Sequence, residues 1–324
     1  MAAFLARRIA QGLAVVVLVA TIVFFLIHAA PGDPFSVSVD NPGVSEAVRV
    51  TWRHSYGLDR PLGEQYLRYV ASIARGDLGF SFSLQRPVSD ALESALPNTL
   101  LLMSVSLIAA FAVGILVAVA QVRRRGKATD RVLGGVSIFL FSVPDFWLAM
   151  LLLVALAYWI PLFPIGGSVD PVTHDLMSAG GQALDRLKHL VLPSLTLSLL
   201  YFPIIARHQH AALLESITSD YITTARAKGV SESSLVTRHA LRNALLPVVT
   251  ILGIAFPALL TGAVFIEKVF SWPGMGLLIV NSISSRDYPL LTACVLLGSM
   301  FVIIGSIIAD VSYRWLDPRL RDER

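Results

Sequence analysis

Residues Asp220 to Pro247 read DYITTARAKGVSESSLVTRHALRNALLP, small side chains and five basic or imidazole groups set between two long apolar segments. The work such residues can do is mechanical and electrostatic, not covalent. Thr223, Thr224, Ala225, Arg226, Ala227, Lys228 and Gly229 predict a short helix of small residues closed by a glycine, the residue that takes the left-handed conformation at helix ends. Ser231 is placed to cap a second helix, with Glu232 close behind and Leu235, Val236, Ala240 and Leu241 at helical spacing. A helix, a sharp turn and a second helix result, the second carrying Arg238, His239 and Arg242. Small side chains allow another protein to approach closely, so the segment is a docking element that looks for a groove.

Covalent and metal chemistry find few candidates. A nucleotide-hydrolysing loop needs a glycine-rich run followed by Lys and Ser or Thr. Gly126-Lys127 is followed by Ala128 and preceded five residues earlier by Gln121, so the chain has no means to drive itself. HExxH and GxSxG are both absent. His208 and His210 are two residues apart and point to different faces of a helix, which disfavours a joint metal site. Asp145 is the one carboxylate that reads as deep in an apolar segment, where a charge is costly unless paired or facing water. It serves either as a polar group near a path or its gate, or as a helix-start cap beside Pro144.

The elements that carry these residues must be membrane spans. Of the 324 residues 55% are hydrophobic and 15% charged, with a mean hydropathy of +0.69. Soluble domains carry about 25% charged residues. The net charge of +4 does not argue for nucleic acid, because basic residues in such a chain mark the cytoplasmic side. Cys294 is the only cysteine, which rules out an internal disulfide.

In order, the first span runs from Ile9 to Ala30 and is read as uncleaved, because PGDPF follows it in place of a small-residue cleavage site. Residues 31–97 form an extracytoplasmic insertion with interleaved aromatic and charged groups. Asn98 to Val122 is the second span, and Val132 to Ile160 the third, broken at Pro144. A short external segment, Pro161 to Lys188, leads to the fourth span, His189 to Leu214. Leu245 to Ile266 is the fifth, Glu267 to Pro289 is external, and Leu290 to Val311 is the sixth. Under this topology 16 of the 26 Lys and Arg residues fall inside, which puts both termini in the cytoplasm.

Several stretches carry a resemblance to a known family. Asp220–Pro247 resembles the EAA loop of the membrane subunits of ABC importers, with TARAKG and HALRNALLP most similar to the dipeptide, oligopeptide and nickel branch. The positions of the eponymous acid and two alanines fall on Thr223, Thr224 and Ala225, so the acid is absent. LARRIAQ, PGDP, YGLDRPL, RGDLGFSF, FSWPGMGLL, SRDYP and YRWLDPRLR are similar to segments of the same branch, so the resemblance covers essentially the whole chain.

The resemblance implies an all-α polytopic protein of the cytoplasmic membrane with a type I importer (MetI-like) fold of six spans. It divides the chain into an N-terminal span (1–30), the insertion (31–97), a permease domain (98–313) with its coupling segment (215–247), and a tail (314–324). Its implied role is the pore-forming subunit of an ATP-driven importer of di- or oligopeptides, with nickel and glutathione as alternatives within the branch. Partners implied are a homologous second permease subunit, two ABC ATPase subunits, an extracytoplasmic substrate-binding protein and membrane lipid. ATP and Mg would reside on the ATPases, with no cofactor on this chain. Thr223 to Gly229 would carry the mechanical contact, Arg226 and Lys228 would add polar contacts, and Arg238, His239 and Arg242 would support the turn. Rival classes are an ion-coupled secondary transporter, which needs charged groups within spans and often internal repeats, and a membrane scaffold that uses Asp220–Pro247 as a dock without flux.

Overall fold

The computed structural model describes residues 2–29, 60–245, 248 and 263–316, with side chains over 6–29, 60–245, 248 and 263–307. Among these, four helices are long and apolar enough to cross a membrane: Ala6–Ala29, Val88–Arg123, Ala179–Ile217 and Tyr288–Ile307. A fifth candidate is the pair Ala128–Ser142 and Asp145–Trp159, bent by 105° at the break. The bend is where Pro144 was expected to interrupt the third span: proline removes a backbone donor and its ring obstructs the preceding turn. The expected fifth span, Leu245 to Ile266, lies mostly outside the described residues, as do residues 31–59 and the tail 317–324.

The chain divides into two compact units. The first comprises residues 1–97 and 274–304. It contains α1 (Ala2–Ala29), α2 (Leu62–Ala74), a two-stranded antiparallel hairpin of β1 (Phe80–Ser81) and β2 (Arg86–Pro87), and the first ten residues of α3 (Val88–Arg123). It is completed by α9 (Met275–Ser284) and most of α10 (Tyr288–Leu316). Val88, Ala91, Leu92 and Ala95 pack against Met275, Leu290, Ala293 and Cys294 to form its core. The amphipathic α2 is stitched to the end of α1 by polar and aromatic contacts. Thr21 Oγ1 lies 2.8 Å from the Tyr66 hydroxyl, His28 Nε2 lies 3.1 Å from Gln65 Oε1, and the Phe24 ring sits 5.4 Å from those of Tyr66 and Tyr69.

Asp287 ties the hairpin to α10. Its Oδ2 accepts from the Ser81 hydroxyl at 2.7 Å, the Ser83 hydroxyl at 2.7 Å and the Ser83 amide at 2.9 Å, while Oδ1 accepts from the Leu290 amide and so caps α10. One buried carboxylate thus joins RGDLGFSFS to SRDYP. Four donors around it offset the cost of burying its charge.

The second unit comprises residues 98–273 and 305–324. It holds the rest of α3, then α4 (Ala128–Ser142), α5 (Asp145–Leu153, continued by a π-helical turn Val154–Trp159), α6 (Ala179–Ile217), α7 (Asp220–Ala227) and α8 (residues 232–244). Leu102, Leu148, Leu192, Leu197, Ile266, Phe270 and Trp272 anchor its largest core. α3 and α6 approach closely at Gly114, where an added Cβ would stand 2.8 Å from Ile205 Cγ2 and 3.1 Å from the Ala206 amide nitrogen. Nearby, Ser198 Oγ donates to the Ser106 carbonyl at 3.0 Å across the same pair of helices. Small residues and hydroxyl bonds are how helices associate where lipid removes the hydrophobic drive between them. Gly114→Val should therefore destabilise this unit by about 1–3 kcal/mol, the usual cost of overpacking, read as a lower unfolding temperature of the detergent-solubilised protein.

The end of this unit that bears the start of α6 is closed by polar contacts. Trp272 Nε1 donates to the Asn98 carbonyl and Asn98 Nδ2 to the Pro273 carbonyl, both at 3.0 Å. The loop before α6 is held by Asp185, whose Oδ2 accepts from the Asp170 amide at 2.9 Å and lies 2.7 Å from His174 Nδ1; its Oδ1 is 3.2 Å from His189 Nδ1. Asp170 in turn accepts from the amides of Thr173 and Val172, which holds its carboxyl below the usual range.

These elements refine the sequence reading. The helices that hold the second and fourth spans start about ten residues before the apolar runs, at Val88 and Ala179, because their first turns are polar yet continuous helix. The segment 267–289 contains the helix α9. Asp145 is exposed at the first turn of α5, and Glu267 is fully buried and accepts from Thr99 Oγ1 at 2.7 Å. Glu267 escaped notice because it stands at the edge of an apolar run, where a charge reads as a boundary.

Candidate functional site

Residues 220–244 form the helix, turn and second helix that their spacing predicts, and the reason lies in the turn. α7 ends at Ala227; the Gly229 amide then donates to the Arg226 carbonyl at 3.0 Å and the Val230 amide to the Ala225 carbonyl at 3.3 Å. That pair of backward bonds is the Schellman motif, and it requires a left-handed residue, supplied by Gly229 at φ +84°. Val230 and Ala225 both pack on the same apolar cluster, the contact that accompanies this turn. Ser231 then caps α8, its Oγ accepting from the Ser234 amide at 3.4 Å.

One residue of α7, Ile222, is wholly buried and seats the helix on Ala118, Val122, Leu213, Leu235, Val236, Ala240 and Ala244. The remaining face is exposed: Thr223, Thr224, Arg226, Ala227, Lys228 and Gly229 all face out, and Ala225 is half-buried. On α8, Arg238 and Arg242 are exposed and His239 is half-buried, so the structure brings the basic residues to one region with α7. A π-helical turn over Leu235–Ala240 widens α8 where it faces α7.

Arg226 is not simply presented to solvent. Its Nε and a terminal nitrogen grip the two oxygens of Glu232 at 2.6 and 3.3 Å, a bidentate bond that spans the turn. That bond holds the Glu232 carboxyl below its ordinary value of 4.5. A depressed carboxylate contributes order above its unfolded pKa and loses it as pH falls through the folded value. The turn should therefore be unchanged between pH 5 and 8 and loosen only in stronger acid. Hydrogen exchange at the amides of residues 226–231 should show this, with Glu232→Gln reproducing the acid state at neutral pH.

Asp145 occupies the first turn of α5, with Pro144 at the cap position and no side-chain capping bond, so its carboxylate faces the positive helix end without closing it. It lies in electrostatic reach of Tyr201 on α6. His208 is exposed and His210 half-buried, and no group of three metal-ligating side chains occurs among the described residues. Between them Gln209 is fully buried with neither amide atom hydrogen-bonded, a polar site that sequence reading passed over because a lone Gln in a helix carries no pattern.

Apolar helices long enough to cross a membrane, joined by a short helix of small residues that faces outward, define a polytopic membrane component. The chain belongs to the family described as "Binding-protein-dependent transport system inner membrane component", whose model matches residues 91–322; the N-terminal model of the same kind of component matches residues 1–103. It is 36% identical over 321 residues to the oligopeptide transport system permease protein AppB of Bacillus subtilis, covering 99% of each chain. It is 35% identical over 336 residues to the di/tripeptide transport system permease protein DppB of Pseudomonas aeruginosa, covering all of both. The glutathione transport system permease protein GsiC of Salmonella paratyphi A is 35% identical over 318 residues, 98% of each.

Proposed function

We propose that this chain is the pore-forming permease subunit of an ATP-driven importer that moves di- or oligopeptides across the cytoplasmic membrane, with six spans and both termini in the cytoplasm. The observation that carries the reading is the exposed small-residue face of α7, fixed by the Gly229 turn and the buried Ile222, in a chain related end to end to peptide permeases. A second, homologous permease subunit completes the path. Two ATPases bind α7 and its equivalent, and an extracytoplasmic binding protein delivers cargo. ATP and Mg act on the ATPases; closure of those subunits draws the coupling helices together and tilts the spans.

Within this machine Thr223 to Gly229 form the contact, Arg226 and Lys228 flank it, and Arg238, His239 and Arg242 brace the turn. Arg226 acts through its hold on Glu232, which sets the angle between α7 and α8. Asp145 lies at the 105° break of the third span, where a change of bend would open or shut a path. Glutathione is a second cargo reading, favoured by the relative of that name. The test is reconstitution of the chain with its partner subunits in vesicles and measurement of uptake of a labelled dipeptide, with glutathione as competitor. ATP-dependent uptake supports the reading. Flux that follows an ion gradient without ATP would make the chain a secondary transporter, and partner binding without flux would make it a scaffold.

A further inference from the structure

A cavity of about 570 Å³ in the first unit is used by none of the coupling machinery. It opens between the last turns of α1 and the first turns of α10, both membrane-crossing helices, and α2 roofs it. Its lining is of two kinds. Phe24, Ile27, Ala293 and Leu296 make an apolar wall that continues along the spans. Arg68, Arg75, Tyr69 and His28 add polar groups, the rings of His28 and Tyr69 lying 4.1 and 5.4 Å from that of Phe24. Arg68 is half-exposed and lies 3.3 Å from Glu64, while Arg75 closes α2 and forms no ion pair among the described residues. The Tyr69 hydroxyl is buried with no hydrogen-bond partner, an unsatisfied donor in the cavity wall. Burial pushes it up to about 12, so it remains a neutral donor at physiological pH.

We infer that this cavity binds one glycerophospholipid, an acyl chain lying against Phe24, Ile27 and Leu296 and the phosphate facing Arg68 and Arg75. The position decides the class of ligand. A cavity at the boundary where two spans leave the bilayer meets lipid first, and basic groups beside aromatic side chains suit the headgroup level. A free dipeptide would place two charges and no tail against the apolar wall, and Asp77, the acid on its rim, already accepts from the Gly79 amide at 3.0 Å. The lipid would join α1, α2 and α10 at one end of the two spans. The inference depends on the spans and not on the direction in which they cross, so it stands or falls apart from the transport reading.

The test is photolabelling of the assembled transporter in detergent with a phosphatidylglycerol that carries a photoreactive group on its acyl chain, followed by mapping of the labelled peptides. Label should concentrate on residues 24–27 and 292–296, be displaced by unlabelled phosphatidylglycerol, and resist inorganic phosphate and dipeptide. Ala71→Trp, which fills the cavity from α2, should remove the label. The double variant Arg68→Gln and Arg75→Gln, on the watery rim, should reduce it about thirtyfold, the loss expected for two basic groups beside a lipid phosphate. If Ala71→Trp does not assemble, the arginine variant decides alone. Label spread evenly along all spans and unchanged by the variants would overturn the site, as would displacement by the dipeptide or by phosphate.

Discussion

Replacing Gly229 by proline should abolish ATP-dependent uptake while the protein still inserts and assembles with its partners. Three faults meet at this one position. Gly229 sits at φ +84°, whereas proline is fixed near −65°. Its amide donates to the Arg226 carbonyl, and proline has no such donor. Lys228 holds an α-like ψ of 3°, which a following proline disfavours. The turn would open, α7 would lose its angle to α8, and the exposed face would no longer meet the ATPase. Gly229→Ala separates geometry from bulk, because a Cβ there meets nothing within 4 Å. That variant should cost only about 1 kcal/mol, the strain of a left-handed non-glycine residue, and retain most of the uptake. Uptake assays of both variants at matched amounts of assembled complex check the pair.

Removal of Asp287 should have the largest effect on stability. Asp287→Ala leaves the hydroxyls of Ser81 and Ser83 and the amides of Ser83 and Leu290 without their acceptor in a buried setting. The cost should be about 3 kcal/mol or more, because stranded donors lose their desolvation energy outright. Asp287→Asn keeps one acceptor oxygen and should lose roughly half as much. Thermal unfolding of the purified protein measures the loss. Limited proteolysis should then cut within 80–87, because the hairpin is held to α10 by this side chain and has only two residues per strand.

The contrast between these two sites shows what a sequence discloses. The Gly229 turn was legible because every bond in it is local: a run of small residues, a glycine, then Ser231 and an apolar repeat specify it within about 20 residues. Ile222 as its seat was not, since a single isoleucine among threonines acquires meaning only when Ala118, Leu213 and Leu235 surround it. Asp287 joins residues more than 200 positions apart, and nothing in SRDYP announces Ser81 as its partner. The surroundings of Asp145 and Glu267 were not legible for one reason. Hydropathy ranks a charge by its neighbours in the chain, whereas burial follows neighbours in space, and the break after Ser142 turns Asp145 outward while Thr99 receives Glu267. The apolar runs of the described crossing helices were plain, and the starts of two of those helices were not, because the first turns of α3 and α6 are polar helix.

The most direct test of the central claim uses a practical feature of the chain: its only cysteine, Cys294, is buried. Thr224→Cys places a single accessible thiol on the exposed face of α7. In the reconstituted complex a short bifunctional thiol reagent should link that residue to the ATPase subunit, with an efficiency that changes between nucleotide-free and ATP-bound states. Linking of an assembled complex to the ATPase from the control position Ser89→Cys, and never from Thr224→Cys, would contradict the assignment of α7 as the coupling helix.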